Sequence, residues 1–153
     1  MNIDVEVKTP MFKLTAGFPT SEAARLTGLT RRQLSYWDKR GIFKPSLVAA
    51  RGRGRPRVYS FLDLVQLRVA KRLLDAGFSP RRLKDCMDYL RTYVSEAALA
   101  SGSFVVAGGD ALMLTDDPTV AVSIAKAGQM VWLIGLETVQ KEVQDAAASL
   151  ASA

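Results

Sequence analysis

Apolar residues recur at helical spacing in several separate stretches of the chain, and between two of those stretches the period is lost. In Thr20-Ser-Glu-Ala-Ala-Arg-Leu-Thr-Gly-Leu-Thr-Arg-Arg-Gln-Leu-Ser-Tyr-Trp, Leu29, Leu34 and Trp37 fall on an inward-facing side, and the small Ala23 and Ala24 permit close crossing of two helices. Thr20 and Thr30 are predicted to cap these two short helices, with Glu22 in the first turn of the earlier one and Gly28 free to take the left-handed conformation between them. This is helix-turn-helix geometry, although Thr27 is polar where an apolar residue would pack better. Ser60-Phe-Leu-Asp63 has capping-box spacing and leads into Leu62, Val65, Val69 and Leu73, a helix that stops near Gly77. Ser79-Pro80 repeats the start signal and opens a helix bearing Leu83, Met87, Leu90, Val94 and Ala97. The alternating steps of four and three read as a coiled-coil seam, so Leu83, Met87, Leu90 and Val94 are expected to carry dimerisation. The same stripe would also serve a helix packed inside its own domain. Cys86, beside the stripe, is expected to be a small buried hydrophobe.

Between Pro45 and Ser60 the pattern changes. Arg51-Gly-Arg-Gly-Arg-Pro-Arg-Val-Tyr sets arginines on alternate positions, separated by glycine or proline, and cannot be a helix. In an extended strand this spacing turns Arg51, Arg53, Arg55 and Arg57 to one side, as in a β-hairpin wing. Its Arg-Gly-Arg-Pro core also resembles the AT-hook, which enters the narrow minor groove of A·T tracts.

The second half has a different texture. Residues 95–103 lose apolar bulk and read as a linker. Phe104-Val-Val-Ala and Ala111-Leu-Met-Leu are predicted as two strands joined by a Gly108-Gly109 turn. A phosphate-cradling loop is rejected there, because no Gly-x-Gly-x-x-Gly pattern or lysine follows. Asp117-Pro118 opens a helix to about Gly128, Gln129 to Gly135 is a strand, and Glu137 begins a closing Ala-rich helix. The predicted fold class is therefore α+β: an N-terminal winged helix-turn-helix over residues 14–94, a linker at 95–103, and a small β-β-α-β-α domain over 104–151. That domain is expected to bury its sheet in its own core or a dimer contact; a ligand pocket near Trp132 is the weaker alternative.

Charge sharpens the division. Of the net +6 over 153 residues, residues 1–94 hold 19 Lys and Arg against 8 Asp and Glu, a net +11, and residues 95–153 hold 2 against 7, a net −5. A basic front half attracts polyanions, and nucleic acid is the first candidate. One cysteine and no histidine exclude disulfide frameworks, Cys-rich metal sites and every mechanism with histidine as base or ligand. No metal or other cofactor is expected, and no enzymatic reaction can be written. The first eight residues lack the apolar run of a signal peptide, and Met130 to Leu136 is far too short to cross a bilayer, so a cytoplasmic location without membrane contact is expected.

On the second helix of the helix-turn-helix, Arg31, Arg32, Gln33, Ser35 and Tyr36 are the predicted outward positions, with Lys39 and Arg40 close behind. Arginine can bond guanine bidentately and glutamine adenine, while the Thr30 helix end can offer N–H groups to phosphate.

The order of helix, turn, helix, basic wing, Tyr59, capped helix and Gly-Phe-Ser resembles the MerR family of bacterial winged-helix transcription regulators. The matching residues are Glu22-Ala-Ala-Arg-Leu-Thr-Gly-Leu-Thr-Arg-Arg-Gln-Leu-Ser-Tyr-Trp, Lys39-Arg-Gly-Ile, Arg57-Val-Tyr, Asp63-Leu and Leu73-Leu-Asp-Ala-Gly-Phe-Ser, within about residues 18–94. The resemblance implies a homodimer on double-stranded promoter DNA, with the second helix in the major groove, the wing on the flanking backbone, and RNA polymerase as a candidate partner at the promoter. It implies recognition contacts by Arg31, Arg32 and Tyr36, and wing or phosphate contacts by Arg57 and Tyr59. Ser35 departs from the arginine common at its position, which would redirect base readout. The cysteines of the family's metal sensors are missing, and no small-molecule effector can be named. Two rival readings remain: a DNA-bending accessory protein of the excisionase kind, and an antitoxin or protein-interaction module acting through the second half.

Overall fold

The computed structural model describes residues 17–48, 56–93, 103–107, 111–115 and 131–152. Strand β1 (Phe18–Pro19) leads directly into α1 (Thr20–Thr27), and α2 (Arg31–Arg40) follows after the turn at Gly28. Strand β2 (Val58–Tyr59) returns to pair antiparallel with β1, Phe18 opposite Tyr59, before α3 (Phe61–Asp75) and α4 (Pro80–Tyr93). In the second half, β3 (Ser103–Ala107) lies between β4 (Ala111–Thr115) and β5 (Val131–Gly135), antiparallel to both, and α5 (Leu136–Ser152) closes the described chain. The helix expected at 118–128, the Gly108-Gly109 turn, the linker up to residue 102, the side chain of Trp132, and Val94 and Ala97 lie outside the described residues.

Helix boundaries follow the capping chemistry, with one exception. Ser60 accepts from the Asp63 N–H at 3.0 Å, and the Asp63 carboxylate accepts from the Ser60 N–H at 3.0 Å, a reciprocal box at the start of α3. Ser79 accepts from the Arg82 N–H at the start of α4. Thr20, however, is the first residue of α1 and not its cap. Pro19 takes the N-cap position without a side-chain bond, because pairing with Val58 holds it extended and starts the helix at the next residue. The misplaced polarity of Thr27 is resolved locally: its buried hydroxyl donates to the Ala23 carbonyl at 2.7 Å and accepts from the Leu29 N–H at 3.3 Å. Gly28 has φ +83°, a left-handed backbone conformation that favours glycine.

Helix α3 is the axis of the core. It buries Phe61, Leu64, Val65, Leu67, Val69, Ala70 and Leu73, with α1 and α4 packed on different sides. This arrangement corrects the expected dimer seam for three of its four residues. Leu83, Met87 and Leu90 are fully buried within a single chain, where α4 packs its stripe against α3, so among the described residues the stripe offers no exposed apolar row to a second copy. Cys86 is buried beside them, as its size and polarity predict.

The two halves share apolar packing through the closing helix. Leu136, Val139, Val143 and Ala147 of α5 join the same apolar cluster as α1 and α3. Glu142 bridges the two halves, accepting from Arg68 Nε at 3.2 Å and from Arg72. The closing helix of the predicted second domain is thus a structural part of the first. Truncating Leu136 to alanine should cost about 2–5 kcal/mol and lower the denaturant midpoint of the whole helix-turn-helix unit. Unchanged unfolding of residues 18–90, followed by hydrogen exchange at α2 and α3, would refute this shared core.

Candidate nucleic-acid interface

The orientation of α2 follows from its burial pattern. Leu34, Trp37 and Asp38 face inward, while Arg31, Arg32, Tyr36, Lys39 and Arg40 are exposed and Gln33 and Ser35 lie at the margin. Tyr36, 49% exposed, is one of two large apolar side chains open to solvent among the described residues, and the Arg40 guanidinium lies 5.4 Å from its ring centre. Basic groups therefore surround an aromatic plate on one side of a short helix.

The start of α2 modifies one expectation. Thr30 accepts from the Gln33 N–H at 3.0 Å, and Gln33 Oε1 accepts from the Thr30 N–H at 2.8 Å. Gln33 is thus half of a capping box, and its carbonyl oxygen is committed to the backbone. A bidentate adenine contact needs that oxygen as well as the amide nitrogen, so the predicted base-reading role of Gln33 competes with the cap for the oxygen. The first-turn N–H groups of Arg31 and Arg32 have no partner inside the helix, by its geometry.

The wing has a defined stem. Val48 and Val58 exchange two backbone hydrogen bonds, at 3.2 and 2.9 Å, so the ribbon leaves at one valine and returns at the other. Arg51, Arg53 and Arg55 lie outside the described residues. On the returning side, Pro56 and Arg57 share a cleft of about 410 Å³ with Arg31 and Ser35 of α2 and with Pro19, Thr20 and Ser21 at the start of α1. The returning ribbon therefore runs beside the N-terminal half of α2. Arg57 is a partial exception to the predicted open contact: its side chain is 18% exposed and its Nε donates to Asp38 at 2.5 Å.

Tyr59 is not a surface contact at all. It is 0% exposed in the core, and its hydroxyl has no partner among the described residues. Pairing with Phe18 turns it inward, and the sequence offers no signal for this, because Arg57 and Tyr59 have the same parity along the strand. Burial pushes its hydroxyl up from 10 to about 12, with Asp38 and Asp63 adding to the shift and Arg57 opposing it. Burial likewise raises the Cys86 thiol from 9 to about 11.

Several residues that shape this surface escape pattern reading. Asp63 Oδ2 accepts from the Ser46 N–H at 2.8 Å and from the Ser46 hydroxyl at 2.7 Å, fastening the loop after α2 to the start of α3. Lys44 Nζ donates to the Asp38 carbonyl at 2.9 Å and to its carboxylate at 3.3 Å. Arg91 of α4 donates to the Lys44 carbonyl at 2.6 Å and stacks over Phe43 at 4.3 Å. Their partners lie 6 to 48 positions away, beyond the reach of local spacing.

Between about pH 10 and pH 12 the unfolded chain releases the Tyr59 proton while the folded chain retains it. The folded state binds more protons there, so the contribution of Tyr59 to stability should be complete below pH 10 and fall as pH rises through this window. Tyr59→Phe is expected to flatten that alkaline decline, to stabilise the fold at neutral pH by removing an unpartnered buried hydroxyl, and to leave affinity for duplex DNA unchanged. A loss of affinity in Tyr59→Phe, measured by fluorescence anisotropy, would return the residue to the interface.

Residues 18–90 match the family described as MerR HTH family regulatory protein. Over 75 residues the chain is 40% identical to uncharacterized HTH-type transcriptional regulators of Mycobacterium tuberculosis and Mycobacterium bovis, an overlap of 49% of this chain and 33% of each relative. The chain thus aligns with about a third of the length of these curated relatives. The matched stretch takes in α1, α2, the wing stem and α3, and most of α4. Residues 18–90 are thus similar to the helix-turn-helix region of MerR-family regulatory proteins.

Proposed function

We propose that the chain regulates transcription in the cytoplasm by binding promoter DNA as a homodimer, with α2 in the major groove and the arginine-rich wing on the flanking backbone. The observation that carries this reading is the exposed face of α2. Arg31, Arg32, Tyr36, Lys39 and Arg40 project from a helix that Leu34 and Trp37 anchor, and the wing returns alongside it at Arg57. Positive groups fix register on phosphates, and those at the helix start approach base edges. Arg31 is the preferred base reader, because it stands at the first helical turn and lines the cleft beside the wing. Arg51, Arg53 and Arg55 add phosphate or minor-groove contacts. RNA polymerase is the partner on which such a regulator acts.

With the α4 stripe buried, the dimer contact passes to surfaces of the second half. Among the described residues no helix is long and apolar enough to cross a membrane, and no cluster of His, Cys, Asp or Glu could hold a metal ion.

Selection of bound fragments from random duplex DNA, with the solution mass measured on the same sample, tests the reading. Two related half-sites and a dimeric mass are expected; scattered A·T tracts without half-sites would favour a DNA-bending accessory role. On the selected site, Arg31→Ala should cost on the order of 1–3 kcal/mol and much less on random DNA. Equal weakening on both would reduce Arg31 to a phosphate contact. Replacing Arg53 and Arg55 together by alanine should weaken binding to every sequence and reduce the salt slope by about one to two. An unaltered slope would remove the wing from the interface.

A further inference from the structure

We propose that Asp38 is a positioning residue for duplex binding, presenting Arg57 to a phosphate and setting the wing beside α2. The inference rests on the DNA-binding reading above and extends it to a residue that would touch no DNA.

Asp38 is the one acid in α2, among Arg31, Arg32, Lys39 and Arg40. On the outer face it would repel a phosphate backbone. Its side chain is instead 8% exposed, and a carboxylate so far removed from water requires cationic partners. It has two, Arg57 and Lys44, and they come from opposite ends of the segment that carries the wing.

Arg57 lies next to Val58, where the ribbon returns. Lys44 lies four residues before Val48, where it departs. The same carboxylate therefore ties both ends of the wing to the recognition helix, Oδ2 to Arg57 Nε at 2.5 Å and Oδ1 to Lys44 Nζ at 3.3 Å. Arg91 adds a brace from α4 through the Lys44 carbonyl.

The nitrogen used matters. Asp38 engages Arg57 through Nε, and among the described residues no bond is recorded for the two terminal nitrogens, while Arg57 lines the cleft with Arg31 and Ser35. Guanidinium is planar, so fixing Nε fixes the plane in which the remaining donors lie. A phosphate in the cleft would meet a fork whose orientation is set before binding. Lysine could not reproduce this, because one ammonium would have to serve both the carboxylate and the phosphate.

The test is a salt titration of duplex binding with the full chain, using the selected DNA and the variants Asp38→Asn, Arg57→Gln, the double variant and Arg57→Lys. Simple electrostatics predicts that Asp38→Asn, which removes a negative charge, binds more tightly. The positioning role predicts weaker binding and a salt slope reduced by about one, although the Arg57 charge remains. Arg57→Gln should lose the same increment, and the double variant no more than Arg57→Gln alone. Tighter or unchanged binding by Asp38→Asn, or additive losses in the double variant, overturns the proposal. Should Asp38→Asn fail to fold by circular dichroism, Arg57→Lys decides: a slope reduced by about one with the charge conserved supports positioning, and the wild-type slope overturns it. Absence of salt-dependent duplex binding by the wild-type chain would instead overturn the DNA-binding reading itself.

Discussion

The surface described above depends on the burial of Leu34 and Trp37 on a helix only ten residues long. Three positions apart, they occupy neighbouring places on one side of α2 and lock its rotation against the core. Once that side is inward, Arg31, Arg32, Tyr36, Lys39 and Arg40 have no other direction than outward. The Thr30 cap at its start and the left-handed Gly41 at its end stop the chain from extending the helix and blurring that rotation. A cationic face thus arises as the necessary complement of an apolar one.

Two acids of the first half serve this surface from within. Asp63 gathers the loop after α2 onto the start of α3, and Asp38 gathers two cations around the wing stem. Both carboxylates are buried, so neither contributes an exposed negative charge to the basic face. Burial alone would make each costly; their hydrogen-bond partners offset the loss of water. The basic character of the region therefore reflects where its acids are placed as much as how many arginines it has.

The closing helix α5 adds a second level of dependence. Its apolar side completes the core around α1 and α3, and Glu142 draws Arg68 and Arg72 toward it. Glu142 of the acidic second half thus meets basic groups of the first on α3. Changes in the sheet that α5 adjoins can be felt in the helix-turn-helix through shared packing, because buried contacts between helices do not deform independently.

Much of this was legible along the chain. Thr30, Gly28, Ser60 with Asp63, and Ser79 with Pro80 announce helix ends because capping chemistry acts over three or four residues, and the apolar period of α2 already implies which of its residues face solvent. The strand texture of residues 103–107 and 111–115 was readable for the same local reason. What spacing left open was any choice between partners distant in sequence. Whether the Leu83 stripe met a second copy or α3, and whether Tyr59 pointed with Arg57 or into the core, each turned on groups brought together only by folding. The sequence by itself determined the helices, their ends and their charges, since these arise from neighbours along the backbone. Only the tertiary structure decided which faces were consumed, because burial and ion pairing are properties of the space between elements.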